Sequence, residues 1–94
     1  MKHAKDYFVS REHYYALGVD EDTGRHYLSI PVDNGRVSYE EYYEIDEETY
    51  SRYMADPEAA LAFAERCRNR EVDDALIYQP SKVRGEPYRP KASP

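Results

Sequence analysis

One stretch of the sequence concentrates side chains that could bind a charged partner. Residues 39–53, YEEYYEIDEETYSRY, hold six acidic residues and five tyrosines. Tyrosine offers a large contact area at a low cost in side-chain entropy, and carboxylates around it attract a cationic surface and neutralise it on docking. This composition predicts a surface that binds a basic protein. The residues predicted to contact that partner are Glu40, Tyr42, Glu44, Glu47 and Glu48.

The same residues have a plainer explanation. Leu, Ile, Val and Phe together make up only 15 of the 94 residues, so tyrosine rings are needed to build a core. The acidic residues would then serve only to keep the domain soluble. This explanation suits tyrosines that face inward better than it suits a row of Glu and Tyr on an outer face, and both interpretations stay open at this point.

Patterns for catalysis or cofactor binding are weak. Cys67 lies on the apolar stripe of a predicted helix, where a free cysteine is typically a small core residue. Adjacent glutamates at 40–41 and 47–48 could act as acid and base only if they converged on a cleft, and they stand in a charge-dense stretch. The three histidines, His3, His13 and His26, do not have the spacing of a helical zinc site. The sequence also contains no glycine-rich loop that could bind a phosphate group. We expect no catalytic residue, no cofactor and no metal, and therefore a protein that is not an enzyme.

The charge is distributed unevenly along the chain. The net charge is −6, and residues 20–65 hold thirteen acids against three arginines, while both ends are net positive. Direct nucleic-acid binding is not expected, because phosphate affinity comes from clustered Lys and Arg. No stretch has the about 20 apolar residues of a membrane span, and the first residues lack the apolar core of a secretory signal. With a single cysteine, these features predict a cytoplasmic protein.

Turn residues and alternating side chains predict a sheet. Turns at residues 20–24 and 33–35 separate three segments with period-two alternation, namely 14–19, 25–32 and 36–45. These segments predict an antiparallel meander. Because proline cannot donate to a strand ladder, the middle strand either ends at Pro31, which is favoured, or turns the proline nitrogen outward. Residues 75–78 are either a fourth short strand, which is favoured, or the anchor of a returning tail, and the structure of residues 1–12 is left open.

The third predicted strand has two unlike faces. Alternation places one set of side chains toward the core and the other set outward. The core set is Val37, Tyr39, Glu41, Tyr43 and Ile45, and the outer set is Ser38, Glu40, Tyr42 and Glu44. Glu41 conflicts with a core position. The conflict is resolved if the strand is at an edge, where Glu41 can bend toward water, or if Glu41 is paired across the sheet.

Capping residues predict two helices. Asp46 is a good N-cap for a helix over 47–54, and Asp56-Pro57 begins a second helix with an apolar stripe. The expected fold is therefore α+β, with a three- or four-stranded antiparallel β-meander and two helices packed on one face, in a single domain over residues 1–78. Residues 79–94 hold four prolines and four basic residues and are predicted to form an extended or disordered basic tail.

In its size, its acidity, its α+β pattern and its acid-tyrosine stretch at residues 39–53, the sequence resembles the immunity proteins of bacterial toxin systems. The partners of that group are often nucleases with strongly basic active-site clefts. The resemblance implies tight one-to-one binding that blocks the substrate site of a toxin or a neighbouring surface. An interface of about 1,600 Å² with a few tyrosine anchors can reach nanomolar affinity. The oligomeric state is left open.

Two other functions are compatible with the sequence. Carboxylates can stand in for phosphates, so the chain could be a nucleic-acid mimic or a modulator of a DNA-binding protein. Mimicry needs acids spaced over a surface, whereas here they cluster in one strand-helix segment. The chain could also be a small accessory or binding subunit of an enzyme, which would require a pocket lined by tyrosine and histidine.

Overall fold

A four-stranded antiparallel meander forms the centre of the structure. The computed structural model describes residues 3–80 and 83–90. The strands follow one another across the sheet as β1 (Ala4–Ser10), β2 (Tyr15–Asp20), β3 (Arg25–Asp33) and β4 (Ser38–Ile45). A short strand, β5 (Glu86–Pro87), pairs with β3 beyond the end of β2. The predicted α+β class and antiparallel meander are confirmed.

β1 is the strand that the sequence left open. Its pairing with β2 shifts register between Asp6 and Phe8, so Tyr7 is the extra residue of a β-bulge. Asp6 and Val9 therefore lie on one face of the sheet, while Phe8 packs against the core on the other. Because the bulge interrupts the period-two alternation, the sequence alone shows no strand pattern here.

The prediction that the middle strand ends at Pro31 is wrong. β3 continues for two more residues, and Pro31 is in register with Glu40 of β4. The N and O atoms of a residue in an antiparallel strand point to the same neighbouring strand. The Pro31 carbonyl accepts the N–H of Tyr88 at 3.1 Å, so the proline nitrogen faces a side on which β2 has already ended. No hydrogen bond to a β2 carbonyl is lost there, so the proline nitrogen is turned away from the β2 ladder, as in the other alternative.

The strand favoured at residues 75–78 is also wrong. A 3₁₀ turn, Asp73–Ala75, includes the first of these residues, and Leu76 then makes a single bridge to Tyr43. The N–H of Ile77 donates to the Tyr42 carbonyl at 2.9 Å. Because the 3₁₀ turn leaves too few extended residues for a ladder, this segment only touches the outer edge of β4.

The helical part packs on one face of the sheet. It consists of α1 (Glu47–Ala55), a 3₁₀ turn (Pro57–Ala60) and α2 (Leu61–Arg68). The second helix therefore does not begin at Asp56-Pro57 as predicted, because Asp56 makes no side-chain capping hydrogen bond and the segment after it is a 3₁₀ turn. Asp46 caps α1 as predicted, accepting the N–H of Thr49 at 2.7 Å. The buried cluster between helices and sheet includes Leu17, Leu28, Ile30, Val32, Tyr43, Ile45, Tyr53, Ala60, Ala64 and Cys67. Burial raises the pKa of the Cys67 thiol, as expected for a core cysteine.

Membrane insertion by a helix finds no support in the parts of the chain that the structure describes. Neither of the two α-helices there has the length and apolar character needed to span a bilayer.

A buried carboxylate lies on the core face of β4. The alternation predicted for this strand is confirmed from Ser38 to Ile45, but Val37, which was predicted to face the core, precedes β4 and is 57% exposed. Glu41 is only 3% exposed. Its Oε1 accepts a hydrogen bond from Arg70 at 2.6 Å and its Oε2 accepts one from Arg84 at 2.9 Å. The hydroxyl of Tyr43 donates to Oε1 at 2.9 Å. Glu41 is therefore paired, but by arginines from outside the sheet.

The pairing of Glu41 places the C-terminal segment against the sheet. Arg84 also bonds both carboxylate oxygens of Asp73, at 2.7 and 3.0 Å, and Arg70 donates to the Gly85 carbonyl at 2.7 Å. Gly85 approaches Asp33 so closely that a Cβ atom there would lie 2.1 Å from the Asp33 carbonyl oxygen. Residues 83–90 thus run along the sheet, whereas the rest of the predicted tail, 81–82 and 91–94, lies outside the described residues.

The surroundings of Glu41 favour its ionised form. Burial alone would raise the pKa of this carboxyl, but hydrogen bonds from Arg84 and Tyr43, with the charge of Arg70, outweigh burial and hold the pKa below its usual value. A carboxyl whose pKa is lowered by folding stabilises the protein above its unfolded-state pKa. That contribution is lost as the pH falls through the folded-state value.

We expect Glu41→Gln to lower the free energy of unfolding at pH 7 by about 2–4 kcal/mol. Breaking a fully buried ion pair usually costs about 3–5 kcal/mol, and the cost here should be somewhat smaller because both arginines are partly exposed. The measurement is urea denaturation from pH 7 to pH 3. The difference in the free energy of unfolding between parent and variant should shrink as the pH falls below about 4.3, because the Glu41 carboxyl then becomes protonated in the unfolded chain before it does so in the folded protein. Glu58→Gln, at an exposed acid, is the control and should change stability by less than about 0.5 kcal/mol. A Glu41→Gln variant as stable as the parent at pH 7 would contradict this role.

Candidate functional site

The sheet face opposite the helices carries carboxylates and tyrosines. Residues paired in register share a face, so Asp6, Gly18, Tyr27 and Glu44 lie side by side across the four strands. We call this the acidic face. Its acids are Asp6, Asp20, Asp33, Glu40, Glu44 and Glu86. Arg25 lies on the same face, 4.0 Å from Glu44, so acids outnumber cations on the strands of this face.

Three tyrosines form a row on the acidic face. The ring of Tyr42 makes edge-to-face contacts with Tyr27, at a centroid distance of 4.8 Å, and with Tyr78, at 5.4 Å. The Tyr27 hydroxyl donates to Asp6 at 2.5 Å, and the Tyr78 hydroxyl donates to Asp20 at 2.6 Å. The row therefore links β4 to carboxylates of β1 and β2.

Gly18 makes room for this arrangement. It lies in register between Asp6 and Tyr27, and a Cβ atom on it would lie 2.4 Å from the Tyr27 hydroxyl and 2.2 Å from the Lys5 carbonyl oxygen. The absence of a side chain therefore lets the Tyr27 ring pass across β2 to reach β1.

The phenols of the row act as neutral hydrogen-bond donors. Burial raises the pKa of Tyr42 to about 12, aided by the charge of Glu40. Burial also raises the pKa of Tyr78 to about 12, together with its hydrogen bond to Asp20. The same hydrogen bond is the main cause that lowers the pKa of Asp20 below its usual value. The face thus stays acidic at neutral pH while its tyrosines keep their protons.

A cleft of about 570 Å³ opens on the acidic face beside β1. Asp6 and Glu40 line it together with Val9, Tyr14, Ala16 and Pro31. Burial raises the pKa of Glu40, partly offset by the nearby Ser29 hydroxyl and aided by the negative charge of Asp6.

The C-terminal segment supplies one wall beside this cleft. Tyr88 stacks on Tyr14 with ring centroids 5.7 Å apart, and its hydroxyl lies 2.7 Å from the Ser38 hydroxyl and donates to Asp33 at 3.1 Å. The docking of Arg84 on Glu41 therefore fixes a ring at the edge of the acidic face.

The structure brings together three of the five predicted partner-binding residues. Glu40, Tyr42 and Glu44 all lie on the acidic face of β4. Glu47 and Glu48 are exposed in the first turn of α1, and α1 packs through Tyr53 on the opposite side of the sheet. These two residues therefore follow the end of β4 in the helix that packs on the other side of the sheet, and the structure does not bring them onto the acidic face.

Sequence reasoning missed the residues that other strands add to the face. The missed side chains are Asp6, Asp20, Tyr27, Tyr78 and Tyr88. The alternation of β3 could have placed Tyr27 opposite Leu28, because neighbouring residues of a strand face opposite ways. The bulge of β1 interrupts the alternation, so the sequence pattern does not place Asp6 on this face. Tyr88 lies in a segment whose docking depends on a long-range ion pair.

The chain matched no protein-family model, no curated protein and no solved structure in the comparisons. Within residues 3–80 and 83–90, no group of three or more His, Cys, Asp and Glu side chains is arranged to hold a metal ion. The acidic face is therefore the feature of the described residues that points to a function.

We expect Tyr78→Phe to raise the pKa of Asp20 toward its usual value, because the hydroxyl that stabilises the ionised carboxylate is removed. A backbone N–H still donates to Asp20 from Asp22, so the return should be partial. The measurement is an NMR titration of the Asp20 side-chain carboxyl carbon. Tyr88→Phe removes a hydroxyl from the same face but contacts Asp33, so it is the control and should leave the pKa of Asp20 unchanged. An equal response to both substitutions would contradict the assignment.

Proposed function

We propose that this protein binds a basic surface of another protein through its acidic face and neutralises that partner. The observation that carries the proposal is the composition of this face, on which carboxylates from all five strands surround a row of tyrosines on the side away from the helices. Complementary charge accelerates encounter, and partly exposed rings supply anchors for a tight complex.

The geometry favours binding over catalysis. The hydrogen-bonding groups deepest in the face are already satisfied by one another, as in the Tyr27–Asp6 and Tyr78–Asp20 pairs. In contrast, Tyr14 and Tyr88 are each 37% exposed at the rim and present ring surface to a partner. We therefore propose a binding protein that is not itself an enzyme.

Within this class, we propose an immunity protein that acts in the cytoplasm of a bacterium. Its partner would be a toxin, such as a nuclease, whose active-site cleft is basic. The support is the small acidic α+β domain, the single buried cysteine and the resemblance in size and charge to that group. The acidic face would cover the cleft, or a surface beside it, and exclude the nucleic-acid substrate.

One observation also favours a second candidate function, in which the protein mimics nucleic acid. The acids of the face come from five strands, instead of clustering in one segment as the sequence suggested. Asp33 and Glu86 are register partners on neighbouring strands, whereas Asp6 and Glu44 are separated by Gly18 and Tyr27. The negative charge is therefore spread over two dimensions of the face. A mimic would bind a DNA-binding protein and lose affinity steeply with salt.

The test of the proposal is a matched pair of charge variants. One variant carries Glu40→Gln, Glu44→Gln and Glu86→Gln on the acidic face. The control carries Glu58→Gln, Glu71→Gln and Asp74→Asn, which remove three negative charges from exposed positions elsewhere. The partner is identified by co-purification from source cells and then produced in pure form, and its affinity for parent, variant and control is measured by calorimetry at two salt concentrations.

We expect the acidic-face variant to bind the partner at least tenfold more weakly than the parent, a change of about 1.4 kcal/mol or more, with the control within threefold. The partner should also be toxic when expressed alone and harmless beside the parent chain. Equal weakening in both variants would contradict a specific face. Recovery only of DNA-binding proteins that high salt releases would overturn the toxin proposal in favour of the mimic.

A further inference from the structure

The cleft beside β1 has a composition suited to one type of side chain. Its two carboxylates, Asp6 and Glu40, face a space of about 570 Å³. Arg11, in the turn after β1, is the one cation among the residues that line the cleft, so the lining stays net negative. Tyr14 stands at its rim and presents a ring.

A buried hydroxyl beneath the cleft is a second and independent observation. Ser29 is 1% exposed, and its side-chain oxygen makes no hydrogen bond of normal geometry within the described residues. It approaches Glu40 closely enough to lower the pKa of that carboxyl in part. Ala16 is its register partner and Pro31 is its next neighbour on the same face, and both line the cleft. The Ser29 hydroxyl is thus a buried polar group close to Glu40, beneath residues that line the cleft.

We propose that this cleft receives an arginine side chain of the bound partner. The inference rests on the proposed function, because the arginine belongs to the basic surface that the acidic face binds. A guanidinium is planar, pairs with carboxylates through two parallel hydrogen bonds and stacks on aromatic rings. Glu40 and Asp6 supply the carboxylates, and Tyr14 supplies the ring.

The state of Glu40 supports this assignment. Burial and the nearby Asp6 disfavour its negative charge, so a cation between the two carboxylates would relieve their repulsion. Glu44 offers a contrast on the same strand face, because it lies 4.0 Å from Arg25 and outside the lining of the cleft. Glu40 is therefore the carboxylate that gains most from an incoming guanidinium.

The experiment uses a defined probe and does not require the partner. Acetyl-Gly-Arg-Gly-amide is titrated into the ¹⁵N-labelled protein and followed by NMR. The same peptide with citrulline, which is uncharged and similar in shape, is the matched ligand. We expect saturable shifts centred on the amides of Val9, Ala16 and Glu40, and at least fivefold weaker binding of the citrulline peptide. Scattered shifts, or equal binding of both peptides, would overturn the proposal.

Variants then locate the site. Glu40→Gln should weaken binding of the arginine peptide at least fivefold, whereas Glu58→Gln, with the same change of charge at an exposed position outside the acidic face, should stay within twofold of the parent. If Glu40→Gln fails to fold, Tyr14→Asn tests the ring instead. Asparagine tolerates the left-handed backbone at this position, where φ is 56°, and this variant should also bind more weakly. Unchanged binding in the folded variant would contradict the site.

The outcomes separate this inference from the proposed function. Binding of the arginine peptide at the cleft, without any protein partner that depends on the acidic face, would support the cleft and overturn the proposed function. A partner that binds the Glu40→Gln chain as tightly as the parent, but binds the acidic-face variant weakly, would support the proposed function and overturn the cleft as its arginine site.

Discussion

Glu41 is an ionised carboxylate inside an otherwise apolar cluster, and removing such a group from water costs several kcal/mol unless it is paired. Its partners come from distant parts of the chain. Arg70 follows α2 with φ at 61°, a left-handed position that glycine would fill with less strain, but glycine has no side chain to reach Glu41. Arg84 comes from the C-terminal segment. The need to pair one carboxylate thus joins the helices, the sheet and the C-terminal segment.

This constraint extends to the opposite side of the sheet. Because Arg84 and Gly85 are held near Glu41 and Asp33, the following β5 pairs with the free part of β3. Tyr88 then falls on the acidic face, where it stacks on Tyr14 beside the cleft. An ion pair on the core side therefore determines the shape of the surface on the other side.

The two explanations for the abundant tyrosine apply to different rings. Tyr43 and Tyr53 belong to the core between sheet and helices, and Tyr27 is fully buried although it lies on the acidic face. These three fit the view that rings replace missing aliphatic side chains. Tyr14 and Tyr88 are more exposed and border the cleft. A phenol can serve both purposes because its ring is apolar and its hydroxyl can bond a carboxylate.

Local patterns were sufficient to predict β2, most of β3 and β4, α1 and the presence of a second helix, because alternation, turn residues and the Asp46 cap act over a few neighbouring residues. They also placed Glu40, Tyr42 and Glu44 on one face. What the tertiary structure alone decided depends on contacts between distant residues. The bulge that turns Asp6 onto the acidic face, the extension of β3 past Pro31, and the docking of Arg84 on Glu41 all arise from pairing across the sheet or with the C-terminal segment, and no local period encodes such pairing.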